Sequence, residues 1–198
     1  SPTPAHFEGV SAAIAAGKHI FCEKPLFRTM DEAAKMIKAV EGYKKKFTLG
    51  FVRRHSPPFQ RMRKLIQEGF IGAPRFCNVS LMLGVYRRQR GDWFADFDAC
   101  GGVILDMLAH HLDLMNWCFG EPDRVYADGL LLSDKLPEPA DYVSTTVTYK
   151  SGVICNMEAG WQRFGRGSDF MEVYGDDGSL SCTWGVPELT HYSKANPA

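Results

Sequence analysis

No stretch of this chain approaches the roughly 20 apolar residues that cross a bilayer as a helix; the longest, Gly9 to Ala16 and Val103 to Leu105, fall far short. An excess of charge is also missing. The 23 Lys and Arg residues equal the 23 Asp and Glu residues, so no chain-wide field gathers nucleic acid or an anionic membrane. The six cysteines (Cys22, Cys77, Cys100, Cys118, Cys155 and Cys182) show no CxxC spacing. They read as buried free thiols in a reducing compartment, with cytoplasm the default, rather than as a disulfide framework or a zinc knuckle. Fixed-period repeats, low-complexity tracts and the charged, apolar, small-residue order of a signal peptide are absent as well. The chain opens at Ser1 without a methionine, so its natural N-terminus is expected to lie upstream.

At 198 residues the chain can bury one substantial core, or one domain and part of another. Ser1-Pro2-Thr3-Pro4 reads as a loop, Ala5 to Gly17 as an alanine-rich helix stopped by Gly17, and His19 to Glu23 as a short buried strand ended by Pro25. Thr29 and Glu32 have the spacing of a capping box for a helix to about Val40, and Phe47 to Val52 reads as a further strand. Residues 1–55 thus look like the closing half of a doubly wound α/β domain.

From Pro57 the pattern changes. Phe59 to Glu68 is an amphipathic helix ending at Gly69, Arg75 to Val85 a strand, Tyr86 to Ala99 a polar, aromatic loop, and a helix carrying Asp106 and His110 ends near Gly120 and Pro122. Strands follow: Arg124 to Leu132, Val143 to Tyr149, Val153 to Trp161, Phe170 to Tyr174 and Ser179 to Trp184, with turns at Lys150-Ser151-Gly152 and Asp176-Asp177-Gly178. Residues 56–198 therefore read as an α+β unit: a large, open, mainly antiparallel sheet with helices on one face.

Two stretches carry the chemistry, Glu23-Lys24-Pro25 and Gly101 through His110. Four residues separate Asp106 from His110, so a helix projects both from one face. An imidazole with a pKa near ~6.5 exchanges protons at neutral pH and is the preferred base. Asp106 would orient that ring or bind a second hydroxyl. Lys24, at a strand's carboxyl edge, can hydrogen-bond a reacting oxygen and stabilise negative charge there. The trio outlines an alcohol-oxidation site. The alternatives are a lysine lying off a strand end and an ordinary i,i+4 pair on a solvated face; against the second stand Val103, Ile104, Leu105, Met107 and Leu108, which suggest a buried helix. Lys24-Pro25 is a candidate cis bond. Glu23 faces a cofactor or caps the strand. His111 and Asp113 are assigned to structure, and without an HExxH motif no metal site is expected.

Ser1-Pro2-Thr3-Pro4-Ala5-His6, Gly17-Lys18-His19 leading into Glu23-Lys24-Pro25, Arg53-Arg54, Gly69-Phe70-Ile71-Gly72-Ala73-Pro74 and Gly101-Gly102 through Asp113 occur in the order seen in the glucose-fructose oxidoreductase/inositol dehydrogenase (Gfo/Idh/MocA) family. The sequence resembles that family over essentially its whole length. The resemblance implies a Rossmann domain followed by an open sheet that shapes the substrate pocket and mediates homo-oligomer contacts. It also implies NAD or NADP as cofactor and a secondary hydroxyl of a sugar, polyol or relative as substrate. Catalysis falls to Lys24, Asp106 and His110, and cofactor contacts to Pro2, Thr3, Pro4, His6, Glu23 and Lys24. Arg53, Tyr86, Arg87, Arg88, Trp93, Trp161 and Arg163 are candidates for the substrate pocket, because guanidinium groups and aromatic faces suit hydroxyl-rich or carboxylated ligands.

The family's GxGxxG phosphate loop does not occur in these residues, so the chain reads as a middle section of a longer enzyme. An NAD-dependent glycoside hydrolase of the same fold, or a non-catalytic sugar or nucleotide sensor, would share most of these motifs. Keeping Lys24, Asp106 and His110 together argues against the sensor.

Overall fold

The computed structural model describes residues 1–84, 93, 96–133, 139–163 and 167–194, apart from the side chains of 162 and 163. The first unit is a two-stranded parallel sheet flanked by two helices. A 3-10 turn over Thr3–Ala5 leads into helix α1, His6–Ala15, which ends before Gly17 at φ +61°. Strand β1, Ile20–Cys22, pairs in parallel with β2, Phe47–Leu49, in the register Ile20 to Phe47 through Cys22 to Leu49.

Between the strands lies α2, Met30–Val40. Its Thr29 hydroxyl accepts from the Glu32 amide while the Glu32 carboxylate accepts from the Thr29 amide, so the capping box is made as the spacing predicts. Val10, Ile20, Cys22, Leu26 and Met36 form a small core. The strand at 20–22 is expected to be buried, but only one of its faces is covered. Phe21 points away from the helices and is 67% exposed.

The second unit is a seven-stranded sheet in the order β4-β5-β6-β3-β7-β8-β9. Its strands are β3 (Pro74–Gly84), β4 (Pro122–Leu130), β5 (Tyr142–Tyr149), β6 (Ile154–Arg163), β7 (Ser168–Gly175), β8 (Gly178–Thr183) and β9 (Leu189–Ser193). All neighbouring pairs are antiparallel except the central β3 and β6. That single parallel pair follows from the long crossover between β3 and β6, which contains helices α4 (Phe97–Cys100) and α5 (Ala109–Phe119) and two further strands.

Helix α3, Pro57–Gln67, and α5 cover one face. Strand alternation sends Val143, Val147, Cys155, Met157, Met171 and Val173 inward to meet Phe59, Met62, Leu114 and Met115. Each large side chain buried there contributes about 1.5–3 kcal/mol, which makes this unit the stable platform of the chain. All six cysteines are free thiols.

Four elements depart from the sequence expectation. The strand expected over Phe47 to Val52 stops at Leu49, and Val52–His55 form a 3-10 turn. Strand β9 pairs with β8 from Gly178 to Ser193 through Cys182 to Leu189. It is absent from that reading because Leu189, His191 and Tyr192 alternate weakly and Pro187 precedes them. A short helix, α4, interrupts the expected 86–99 loop, capped by Asp96, whose carboxylate accepts from the Asp98 and Ala99 amides. Residues Ile104–Leu108, expected to be α-helical, form a π-helical segment that runs on into α5.

Candidate active site

Lys24 leaves β1 at its carboxyl edge, where chain direction places ligands in open α/β sheets. The Lys24-Pro25 bond is cis, and Gly50 lies against the Glu23 carboxylate so closely that a Cβ there would come within 2.6 Å of it. The Lys24 ammonium donates to Asp106 Oδ1 at 2.9 Å and also to the Asp106 backbone carbonyl. The side chains are 14% and 21% exposed, so this ion pair stays within reach of a ligand. It spans 82 positions in sequence and joins the two units.

Asp106 stands in the π-helical segment and His110 in the first turn of α5. The wider turn corrects one expectation. Asp106 Oδ1 goes to Lys24, and His110 Nδ1 is buried with no hydrogen-bond partner, so Asp106 does not hold the ring by that nitrogen. Burial pushes the His110 pKa down to about 3, helped by the nearby Lys24 and Arg53 cations and by His111, while Asp169 opposes the shift. The ring is therefore neutral at any ordinary pH, with a free lone pair but weak basicity.

A cavity of about 200 Å³ is lined by Ser1, Thr3, His6, Glu23, Lys24, Pro25, Trp93, Cys100 and Asp106. Of the expected cofactor contacts, Thr3 is buried, Glu23 is exposed at the rim, and Pro2 and Pro4 are exposed on either side of Thr3. His6 Nδ1 lies 2.8 Å from the Pro25 carbonyl and Nε2 2.9 Å from that of Ser1. Both ring nitrogens thus face the protein, fastening the entry loop to the turn after Lys24. A larger hollow of about 630 Å³ beside β2 is lined by Phe47, Phe51, Trp117 and the Arg54–Asp113 pair, among others. Its charges are locked in a two-bond fork, whereas the smaller cavity holds a lysine that contacts only one carboxylate oxygen, with the Glu23 carboxylate beside it, so the chemistry favours the smaller cavity.

The expected substrate contacts are scattered. Trp93 lines the cavity beside Lys24. Trp161 packs into the main core. Arg53 is 5% exposed, its NH1 and NH2 donating to the two oxygens of Asp169 at 2.7 and 2.6 Å while its guanidinium lies 4.7 Å from the Trp184 ring centroid. Tyr86, Arg87 and Arg88, and the side chain of Arg163, lie outside the described residues.

Asp169 is absent from the sequence expectation. It projects from β7 on the same face as the fully buried Met171 and Val173, and that parity is the signal available in the sequence: an acid on the core side of a strand. Arg54 makes a second fork with Asp113, at 2.7 and 2.6 Å, which places Asp113 in a structural role as expected. Arg28 adds bonds to the Phe97 and Asp98 carbonyls. Lys24, Arg28, Arg53 and Arg54 all reach from residues before 56 to acceptors in the later unit, so these contacts bring every positive charge from one side. Among the described residues no group of three or more His, Cys, Asp or Glu could hold a metal ion.

Comparison with known proteins bears on this arrangement. Residues 1–51 match the oxidoreductase family with NAD-binding Rossmann fold, GFO/IDH/MocA, and residues 59–181 match the GFO/IDH/MocA C-terminal domain. The chain is 30% identical to a myo-inositol 2-dehydrogenase of Thermotoga maritima and 30% identical to an inositol 2-dehydrogenase of Rhizobium meliloti. Each match covers 91% of this chain and 54% of the relative. A solved levoglucosan dehydrogenase in complex with NADH and levoglucosan superposes with a TM-score of 0.91 at 27% identity, over 100% of this chain and 56% of that one. The chain thus spans about half the length of the curated relatives it matches.

Proposed function

The chain belongs to the Gfo/Idh/MocA oxidoreductase family, and on that footing we propose that it forms the proton-handling half of an NAD(P)-dependent dehydrogenase for a secondary hydroxyl of a sugar or polyol. One observation carries the reading: Lys24 from the Rossmann-like unit meets Asp106 from the sheet unit at 2.9 Å, with the neutral base His110 one turn further along the helix.

The cavity wall fits the reactive end of a nicotinamide nucleotide in the chemistry of its donors. An ammonium stands at a strand's carboxyl edge, with buried Thr3 and the Glu23 carboxylate beside it. When bound, that cofactor supplies a two-electron acceptor for hydride. Thr3 and Glu23 would hold its nicotinamide end, with Pro2, Pro4 and His6 shaping the loop behind them. The NADH bound in the levoglucosan dehydrogenase complex supports NAD as the form.

In the oxidation direction a substrate hydroxyl takes the place of Asp106 as acceptor from Lys24 Nζ, and the ammonium stabilises negative charge on that oxygen. His110 receives the hydroxyl proton. It is half-buried and uncharged before the transfer, and the same burial opposes the charge it takes up, so it is a weak base and depends on Lys24 lowering the pKa of the alcohol. Asp106, freed from Lys24, accepts from a neighbouring hydroxyl, which favours vicinal polyols. Trp93 supplies an apolar wall for the carbon face of a ring. We also read the uncovered sheet face, with Phe76 stacked on Tyr174 at 4.6 Å, as a homo-oligomer contact, and the free thiols as support for a cytoplasmic location.

Full-length protein with myo-inositol or levoglucosan and NAD⁺ is expected to form NADH, seen at 340 nm, and Lys24→Met is expected to lower kcat by about 10²-fold or more. Hydrolysis of an aryl glycoside without net NADH would point instead to the glycosidase reading. No turnover on any polyol, or unchanged kcat in the variant, would contradict the proposal.

A further inference from the structure

His111 is the most enclosed imidazole of the chain, 0% exposed, and neither ring nitrogen makes a hydrogen bond. Its Nε2 stands 3.4 Å from Asp169 Oδ1. Buried polar groups are nearly always paired, so an imidazole left open next to a carboxylate held by a bidentate arginine calls for an explanation. Arg53 supplies part of it. Its fork fixes Asp169 in one orientation, and Trp184 covers the guanidinium, so the carboxylate cannot turn away.

We propose that Asp169, fixed by Arg53, is a positioning residue for His110, acting through His111: it holds the buried ring of His111, the neighbour of His110 in α5, as the Nε2–H tautomer.

A neutral ring must place its one proton on Nδ1 or Nε2. A bare lone pair facing a carboxylate at 3.4 Å is repelled, whereas an N–H there is attracted. The remaining orphan is then the Nδ1 lone pair, and an unsatisfied acceptor costs less than an unsatisfied N–H. The consequence for His110 is geometric and electrostatic. The two histidines are adjacent at the start of α5, where the π-helical segment ends, so fixing the His111 ring fixes the backbone that aims His110. When His110 takes up a proton it becomes a cation near Lys24 and Arg53, which disfavour it, and Asp169 is the charge that favours it.

This inference rests on the dehydrogenase reading only for its kinetic consequence, so the test has two arms. Long-range proton–nitrogen NMR spectra of the full chain at pH 7, with His111 assigned through His111→Gln, report the tautomer directly. Nε2–H is expected in the unaltered protein, with loss of that preference in Asp169→Asn and its return in Asp169→Glu. A Nδ1–H tautomer in the unaltered protein overturns the proposal even if every variant fails to fold.

In the kinetic arm, with myo-inositol and NAD⁺, Asp169→Asn is expected to lower kcat about 10-fold or more, part of the ~10²–10⁴-fold that a positioned proton acceptor contributes. KM is expected to stay within about twofold, since Asp169 does not touch substrate. Unchanged kcat overturns the positioning role. An Nε2–H tautomer in a protein with no turnover on any polyol leaves the Asp169–His111 assignment standing and removes the dehydrogenase reading.

Discussion

The Lys24–Asp106 and Arg53–Asp169 pairs both carry a cation from the first unit to a carboxylate of the second, yet they are built for different purposes. Lys24 presents a point charge to one carboxylate oxygen at the wall of a cavity, with both side chains partly open. Arg53 presents a planar fork to two oxygens, is nearly sealed from solvent, and is stacked on Trp184. A lysine can exchange one acceptor for another by turning about its stem, whereas a bidentate, stacked arginine cannot without losing two bonds at once. One contact is therefore suited to being displaced by a substrate and the other to holding the two units in register while that happens.

Stability should separate the two contacts most widely. Arg53→Met leaves the Asp169 carboxylate partly buried without its partner and is expected to cost about 3 kcal/mol, read as a lower denaturant midpoint at unchanged slope. Lys24→Met also leaves a partly buried carboxylate, Asp106, but breaks a contact to one of its oxygens rather than a two-oxygen fork, and should cost about half as much, roughly 1.5 kcal/mol. Equal losses would erase the distinction between a clamp and an exchangeable contact.

Acid sharpens the comparison from the side of the base. An unfolded histidine takes up its proton near pH ~6.5, whereas folded His110 does so only at about 3. Between those values the unfolded chain binds more protons, so stability falls as the pH drops through this window and the loss is complete below it. Asp169 adds to the same trend at lower pH. Burial raises its pKa, but the contacts from His111 and Arg53 outweigh burial and hold it below the ordinary carboxylate value, so its contribution is present above that value and is lost as pH falls through the depressed one. His110→Gln is expected to reduce the slope between pH 6 and 4, measured by urea unfolding at a series of pH values, with His111, whose pKa burial also lowers, keeping the remainder and the lower limb staying in place. An unchanged slope would mean that His110 is not the group kept neutral by burial.

Local chemistry was the most readable part of the molecule. The Thr29–Glu32 capping box, the Gly152 turn and the strands with clear alternation all depend on neighbours a few residues apart, and all appear as expected. The π-helical turn at Ile104–Leu108 is not readable in the sequence: it is accompanied by Gly101 at φ +81° against the Leu105 side chain and by the contact of Lys24 with Asp106 across 82 positions, and the last of these exists only in the folded chain. Arg53 illustrates the same limit. Its type suits a ligand, but its partner lies 116 residues away on a strand, and only tertiary structure shows that the fork is taken. Asp113 and His111 both read as structural from sequence; Asp113 forms a fork with Arg54, and the proposed link from Asp169 to the base would give His111 a further role.

On the proposed function, Lys24 and His110, from different units, handle one proton together. A double-mutant cycle on kcat/KM for polyol oxidation by the full-length protein tests it most directly, using Lys24→Met, His110→Gln and the double variant. If they act as a unit, either single change should remove most of the rate and the second should add little. Two losses that multiply as independent factors would contradict the account.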